Sequence, residues 1–195
     1  MKRILYLLLL ILSGCNSLQQ HSNVMIFTRE GTIELELYPK KAPATVTNFL
    51  EYVDQHMYDG ALFYRTVKPD NQPDNPIKIE VIQGGLGFNN SDEELPPIQH
   101  ESTKQTGILH VDGAISMARA DTGTVTSEFF ICIGDQPELD FGGKRNFDLQ
   151  GFAAFGKVTK GMDVVRTIQN IPDINQLLVQ PVVIDSIRRC KQKKN

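Results

Sequence analysis

The sequence predicts a mainly β protein, a closed antiparallel barrel capped by two helices. Short apolar runs of strand length recur along the body, each bounded by Gly, Pro, Asp or Asn. One stretch alternates with a period of two: Ile33, Leu35 and Leu37 are apolar while Thr32, Glu34 and Glu36 are polar, which buries one face of a strand. Only two well-separated segments carry helical spacing. Many strands with two isolated helices point to a barrel with helical caps. At 195 residues, 41% of them hydrophobic, the chain suffices for one domain with a sizeable core.

Val24 to Leu37 reads as a hairpin, with Arg29-Glu30-Gly31 as its turn. Pro39 and Lys40-Lys41 end it. A helix starts at Ala42-Pro43-Ala44-Thr45, with Pro43 well placed in a first turn; Val46, Phe49, Leu50 and Val53 give it one apolar face. Phe63 to Val67 is a strand. Lys68 to Asn75 is a loop rich in Pro, Asp and Asn, followed by Pro76. Further strands are expected over 77–82, 113–118, 127–133 and 152–158. Met162, Val165 and Ile168 place a second helix over 161–169, and 182–187 is a final strand.

The first residues read as a targeting segment rather than as fold. Lys2-Arg3 precedes an apolar run from Ile4 to Leu12, the pattern of a secretory signal, too short for a membrane span of about 20 residues. Leu12-Ser13-Gly14-Cys15 resembles a bacterial lipobox, which makes Cys15 the lipidation site and residues 1–14 the signal peptide. The expected anchor is acyl chains, with residues 15–22 as a tether. Asn16, where an aspartate would favour the inner membrane, favours the outer one. The expected location is therefore the cell envelope, lipid-anchored on the periplasmic face. Cys132 sits in an apolar run and reads as a small buried hydrophobe. A Cys132–Cys190 disulfide is open to an oxidising compartment, but the reading goes against it.

The net charge of −3 is more acidic still once Lys2 and Arg3 are set aside, which argues against nucleic-acid binding. Residues 189–195 form a basic tail, read as solvated. His21, His56, His100 and His110 lack metal-ligand spacing, so no metal is expected. Gly84-Gly85-Leu86-Gly87 lacks the lysine of a phosphate loop and reads as a turn leaving a strand. Ser116 and Ser127 lack a nucleophile-elbow context.

The informative motifs are Phe63-Tyr64-Arg65, Gln83-Gly84-Gly85, Ile115-Ser116-Met117-Ala118, Ser127 to Cys132, Leu139-Asp140 and Phe155-Gly156-Lys157-Val158. Together, in this order, they resemble the cyclophilin family of peptidyl-prolyl isomerases over nearly all of residues 23–188. The resemblance implies an eight-stranded barrel with a helix at each end, proline-containing polypeptides as substrates, no cofactor and a monomer.

It also implies roles. An X-Pro bond isomerises over a barrier of about 18–20 kcal/mol because amide resonance must be broken. In the twisted transition state the proline nitrogen regains a lone pair, and a donor aimed at it stabilises that state selectively. Arg65 matches the family's catalytic arginine, and its fork could also hold the proline carbonyl. Residue type alone equally allows an ion pair from Arg65 to Glu80 or Glu128. Gln83 matches the glutamine that holds the peptide and orients the arginine. Phe130 matches the floor of the proline pocket, with Phe63, Val81, Leu139 and Phe152 as apolar neighbours, and Ala118 and Ala120 match small positions along the groove. Arg119 and Glu128 replace the usual amides and could pair across the groove or attract charged peptides.

Two departures stand out. Residues 66–82 form an unusually long connection between Arg65 and Gln83, whose loop could overhang the pocket or extend outward. Glu80 falls where an aromatic usually lines the pocket. The reading is thus a prolyl isomerase that assists folding of exported proteins; the alternative is a non-catalytic proline-peptide-binding or chaperone-like module on the same fold.

Overall fold

The computed structural model describes residues 22–87 and 94–190. The expected signal segment, Cys15, the expected tether up to His21 and the tail residues from Lys191 lie outside them.

Nine strands form one sheet. They are β1 (Ser22–Thr28), β2 (Gly31–Leu37), β3 (Leu62–Val67), β4 (Val81–Gly85), β5 (Ala114–Met117), β6 (Phe129–Cys132), β7 (Ala153–Lys160), β8 (Asp173–Ile174) and β9 (Leu177–Arg189). The order is β1-β2-β7-β5-β6-β4-β3-β9-β8, and β1 also pairs with β9. Eight strands therefore close a ring, all neighbours antiparallel. The two-residue β8 hangs on β9 outside it. The helices are α1 (Pro43–Asp54), the single turn α2 (Thr103–Thr106) and α3 (Met162–Gln169). The two expected helices are present; α2 is additional, and too short to carry a periodic signal. No helix among the described residues is long and apolar enough to cross a membrane.

Pro43 opens α1, as its fixed φ favours. The cap is long-range: the Glu101 carboxylate accepts from the backbone N–H of Thr45 (2.8 Å) and Ala44 (3.3 Å) and from the Thr45 hydroxyl (2.7 Å). An anion here satisfies orphan donors and complements the helix dipole.

The strands around the site are buried on both faces, which explains their continuous apolar runs. Ile82, Ile115, Met117, Phe129 and Ile131 point into the barrel core with Phe49, Phe63 and Phe155. Their alternates Val81, Ala114, Phe130 and Cys132 point outward and join Val67, Ile79 and Leu139 in a second cluster. Cys132 and Cys190 are free thiols.

Three expectations shift. The strand expected over 77–82 begins only at Val81, because the backbones of Ile77 and Ile79 bond to the side chains of Asn75 and Gln72 instead. Gly84 and Gly85 belong to β4, not to a turn. The last strand runs from Leu177 to Arg189, well beyond 182–187, and the β8–β9 hairpin is new.

Candidate active site

A β-bulge makes the site. In the β3–β4 pair, Phe63 faces Gly84 and Arg65 faces Gln83, so Tyr64 is the extra residue. A bulge re-aims side chains. Here Phe63 enters the barrel, while Arg65 shares the outer face with Gln83 and Tyr64 reaches the same amide. The β3–β9 ladder skips as well: Phe63 faces Val182 and Arg65 faces Leu177. That brings the turn Asn175-Gln176 beside Arg65.

The Arg65 guanidinium is held by two amides. Nη1 donates to Gln83 Oε1 (2.7 Å), and Nε and Nη2 donate to Gln176 Oε1 (3.1 and 2.6 Å). Gln83 Nε2 donates to the Tyr64 hydroxyl (2.8 Å), which donates to Glu128 Oε2 (2.5 Å). Since a carboxylate only accepts, this chain fixes the direction of each bond and turns Gln83 Oε1 toward Arg65. Burial pushes the Arg65 pKa down and those of Tyr64 and Glu128 up. The ion pair from Arg65 to Glu80 or Glu128 is not made.

Beside Arg65 lies a cavity of about 220 Å³, lined by Ile79, Val81, Gln83, Ala118, Phe130, Leu139, Phe152 and the arginines 65, 119 and 145, with Asn146. Phe152 stands edge-on to Phe130 at 5.3 Å, and His110 stacks on Phe130 at 5.9 Å. A small apolar ring fits such a space, with polar groups at its edge to orient a chain.

The family profile described as "Cyclophilin type peptidyl-prolyl cis-trans isomerase/CLD" matches residues 23–191. The chain belongs to the cyclophilin family. It is 35% identical over 180 residues to peptidyl-prolyl cis-trans isomerase A of Dickeya dadantii (strain 3937), covering 88% of this chain and 86% of that protein. It is 38% identical over 149 residues to a peptidyl-prolyl cis-trans isomerase of Acinetobacter baylyi, covering 74% and 70%. Among solved structures, a Cryptosporidium parvum cyclophilin-type isomerase shares the fold, with TM-score 0.72, 21% identity and 89% and 99% coverage of the two chains.

In this cyclophilin, Arg65, Gln83, Val81, Ala118, Arg119, Phe130, Leu139 and Phe152 converge on the cavity. Other expected site residues do not. Phe63 is 0% exposed and packs edge-on to Phe129 inside the barrel, so it cannot touch a substrate. Glu128, 4% exposed, accepts from Tyr64 and from the Gly87 N–H (2.7 Å); it supports the site from behind. Arg119 does not pair with it. Arg119 grips Asp148 with both terminal nitrogens (2.7 and 2.9 Å), donates Nε to Gly151 O (2.8 Å) and lies 5.4 Å over the Phe152 ring. Ala120 is exposed and outside the cavity lining. Glu80 points away and accepts from Gln169 Nε2 (3.1 Å); Ile79 takes the wall position.

The long connection neither overhangs the cavity nor extends outward. It folds around the buried Gln72 amide, whose Nε2 donates to Lys68 O (2.7 Å) and Ile79 O (2.8 Å). Asn71 Nδ2 ties it to Thr66 O (3.1 Å) and Asp173 Oδ2 (3.0 Å).

Ser116, His110 and Asp140 form a hydrogen-bonded line, Oγ to Nε2 at 3.0 Å and Nδ1 to Oδ1 at 2.7 Å. It looks like a hydrolytic triad. Ser116 is 0% and His110 1% exposed, so no substrate carbonyl can reach the hydroxyl; the line braces the floor ring instead. No group of three His, Cys, Asp or Glu suits a metal among the described residues.

Proposed function

We propose that this cyclophilin isomerises X-Pro bonds with Arg65 as the donor to the proline nitrogen and the 220 Å³ cavity as the seat of the proline ring. One observation carries the assignment of Arg65. Its three protein bonds go to neutral amide oxygens, which leaves one N–H on each terminal nitrogen and the full positive charge in place. A guanidinium fixed in direction but not neutralised suits a lone pair that exists only in the twisted state. Gln83 and Gln176 hold the fork, Phe130 and its neighbours hold the ring, and no nucleophile or proton acceptor takes part. Glu80, which would favour the non-catalytic alternative as a pocket residue, faces Gln169 of α3 instead.

The test is exchange NMR, or a protease-coupled assay, on X-Pro peptides. Arg65→Ala should lower kcat/KM by about 100-fold or more, as loss of one preorganised donor does. Equal rates in wild type and variant would remove Arg65 from catalysis.

We further propose that the chain is lipidated at Cys15, sits as a monomer on the periplasmic side of the envelope, at the outer membrane, and acts on exported polypeptides. The support is Lys2-Arg3, the apolar run to Leu12, and Leu12-Ser13-Gly14-Cys15. Metabolic palmitate labelling should disappear with Cys15→Ser; persistent label would reject the anchor.

A further inference from the structure

Most of the described arginines meet acids, including Arg119 at the cavity wall. Among the described residues, Arg29 pairs with Glu30, Arg119 with Asp148, Arg166 with Asp112, Arg188 with Asp59 and Arg189 with Asp54. The exceptions are Arg65 and Arg145, and both stand at the site. Arg145 Nη1 donates to Gln72 Oε1 (2.8 Å) and Ile77 O (2.7 Å). Its Nε and Nη2 have no acceptor among the described residues.

The two guanidiniums also share a position. Both line the proline cavity, and both line a second groove beyond it, walled by the loop from Asn71 to Asn75 and by Asn175 and Gln176. No other residue lines both spaces except these two arginines. Burial and the charge of Arg65 push the Arg145 pKa down, as expected of two like charges held together without a counter-ion. Asp74 lines the same groove but forms no ion pair with either. Asp173 nearby is taken by Lys68 Nζ at 2.7 Å.

Because Arg65 and Arg145 line both spaces, a peptide whose proline fills the cavity with its carbonyl on the Arg65 fork can pass its next residue across this sill. We propose that the groove beyond Arg65 is a carboxylate subsite, in which Arg145 receives either an Asp or Glu side chain directly after the proline or the α-carboxylate of a chain that ends in proline. Planar guanidinium and carboxylate match geometrically, and the absent counter-ion is then supplied by the substrate. The inference rests on the isomerase reading for the seat of the proline.

Matched peptides test it on the wild-type protein. Ala-Pro-Glu, Ala-Pro-Gln and Ala-Pro-Lys, capped at both ends, address the side chain; Ala-Pro with a free or amidated C terminus addresses the chain end. Turnover is read by exchange NMR and binding by chemical-shift titration. The carboxylate member of at least one set should be favoured by about tenfold or more, the scale of a charge-assisted bond, with Lys worst. The preference should shrink with added salt and collapse toward unity in Arg145→Gln. The set that responds identifies the source of the carboxylate. Equal Kd and kcat/KM within both sets, or a preference that survives Arg145→Gln in a folded variant, would overturn the subsite. Absence of turnover on every peptide would instead overturn the isomerase reading, and the Kd ratios would still decide the subsite.

Discussion

Arg65 and Arg119 are both arginines beside one cavity, and they are treated oppositely. Arg119 is neutralised by a two-pronged carboxylate grip. Arg65 is aimed by amides, which fix direction and leave the charge available. Behind it, Tyr64 transmits the demand of the Glu128 carboxylate to Gln83. Tyr64→Phe should therefore act at a distance. It frees the Gln83 amide to flip, lowering kcat severalfold, and leaves a buried carboxylate oxygen short of a donor, a loss of about 2 kcal/mol in urea unfolding. The pH dependence follows from the same chain. Burial holds the Glu128 carboxyl above its ordinary range, so the rate should be flat near neutral pH and fall in acid as Glu128 takes a proton, becomes able to donate to the Tyr64 hydroxyl and no longer fixes the direction of that bond. A profile unchanged by Tyr64→Phe would break that link. Arg65, Gln83 and Phe130 were legible in the sequence because each lies in a motif of matching strand segments. Arg145 and Gln176 were not, since each meets the site from a loop and nothing in spacing marks it.

The β8–β9 turn decides how firmly Arg65 is held. Asn175 and Gln176 both have positive φ, 52° and 72°, the signature of a two-residue type I′ turn. Glycine is at ease there and glutamine is strained, yet Gln176 supplies the oxygen that takes two of the arginine's bonds. Gln176→Gly should separate the two effects, with thermal stability equal to or above wild type and kcat lowered about tenfold with little change in KM. Lower stability together with unchanged kcat would show the side chain to be merely structural. Gly84 works the other way. A Cβ there would lie 2.7 Å from Leu62 O and 2.8 Å from Phe63 Cδ1, so Gly84→Ala should cost about 1–3 kcal/mol, read as a lower Tm. The hairpin β1–β2, helix α1 and helix α3 were legible because each carries a full period of its pattern. β8, at two residues, holds too little chain for any period, and β9 hides its first half behind Pro181 and an exposed stretch.

Over the whole molecule, acid stability reflects opposed groups. Hydrogen bonds from Arg189, Arg188 and Arg119 hold the carboxyls of Asp54, Asp59 and Asp148 below their ordinary range. Such groups contribute stability above the unfolded pKa of about 3.9 and lose it as pH falls through the folded value. Glu128, with a raised pKa, has the opposite sign: its contribution is present in acid and is lost as pH rises through its folded value. Tm should therefore drop below about pH 4, and Asp148→Asn should flatten that fall. A Tm independent of pH down to pH 2 would contradict it. The closed ring leaves little edge for another chain to extend, which accords with the proposed monomer.

Closure of that ring also sets an order in time. β9 is made last among the strands, yet it pairs with β1, β3 and β8 and, through its turn, grips the arginine. A chain growing from its N terminus can form the first hairpin and α1 early, but it has no partner for the outer side of β1 or β3 until Leu177 onward has emerged. Such distant pairings form late. The ring thus stays open, and Arg65 without its Gln176 partner, until β9 is available. For a protein proposed to cross a membrane before it works, this keeps the chain threadable in transit and makes folding and the arrival of activity a single event.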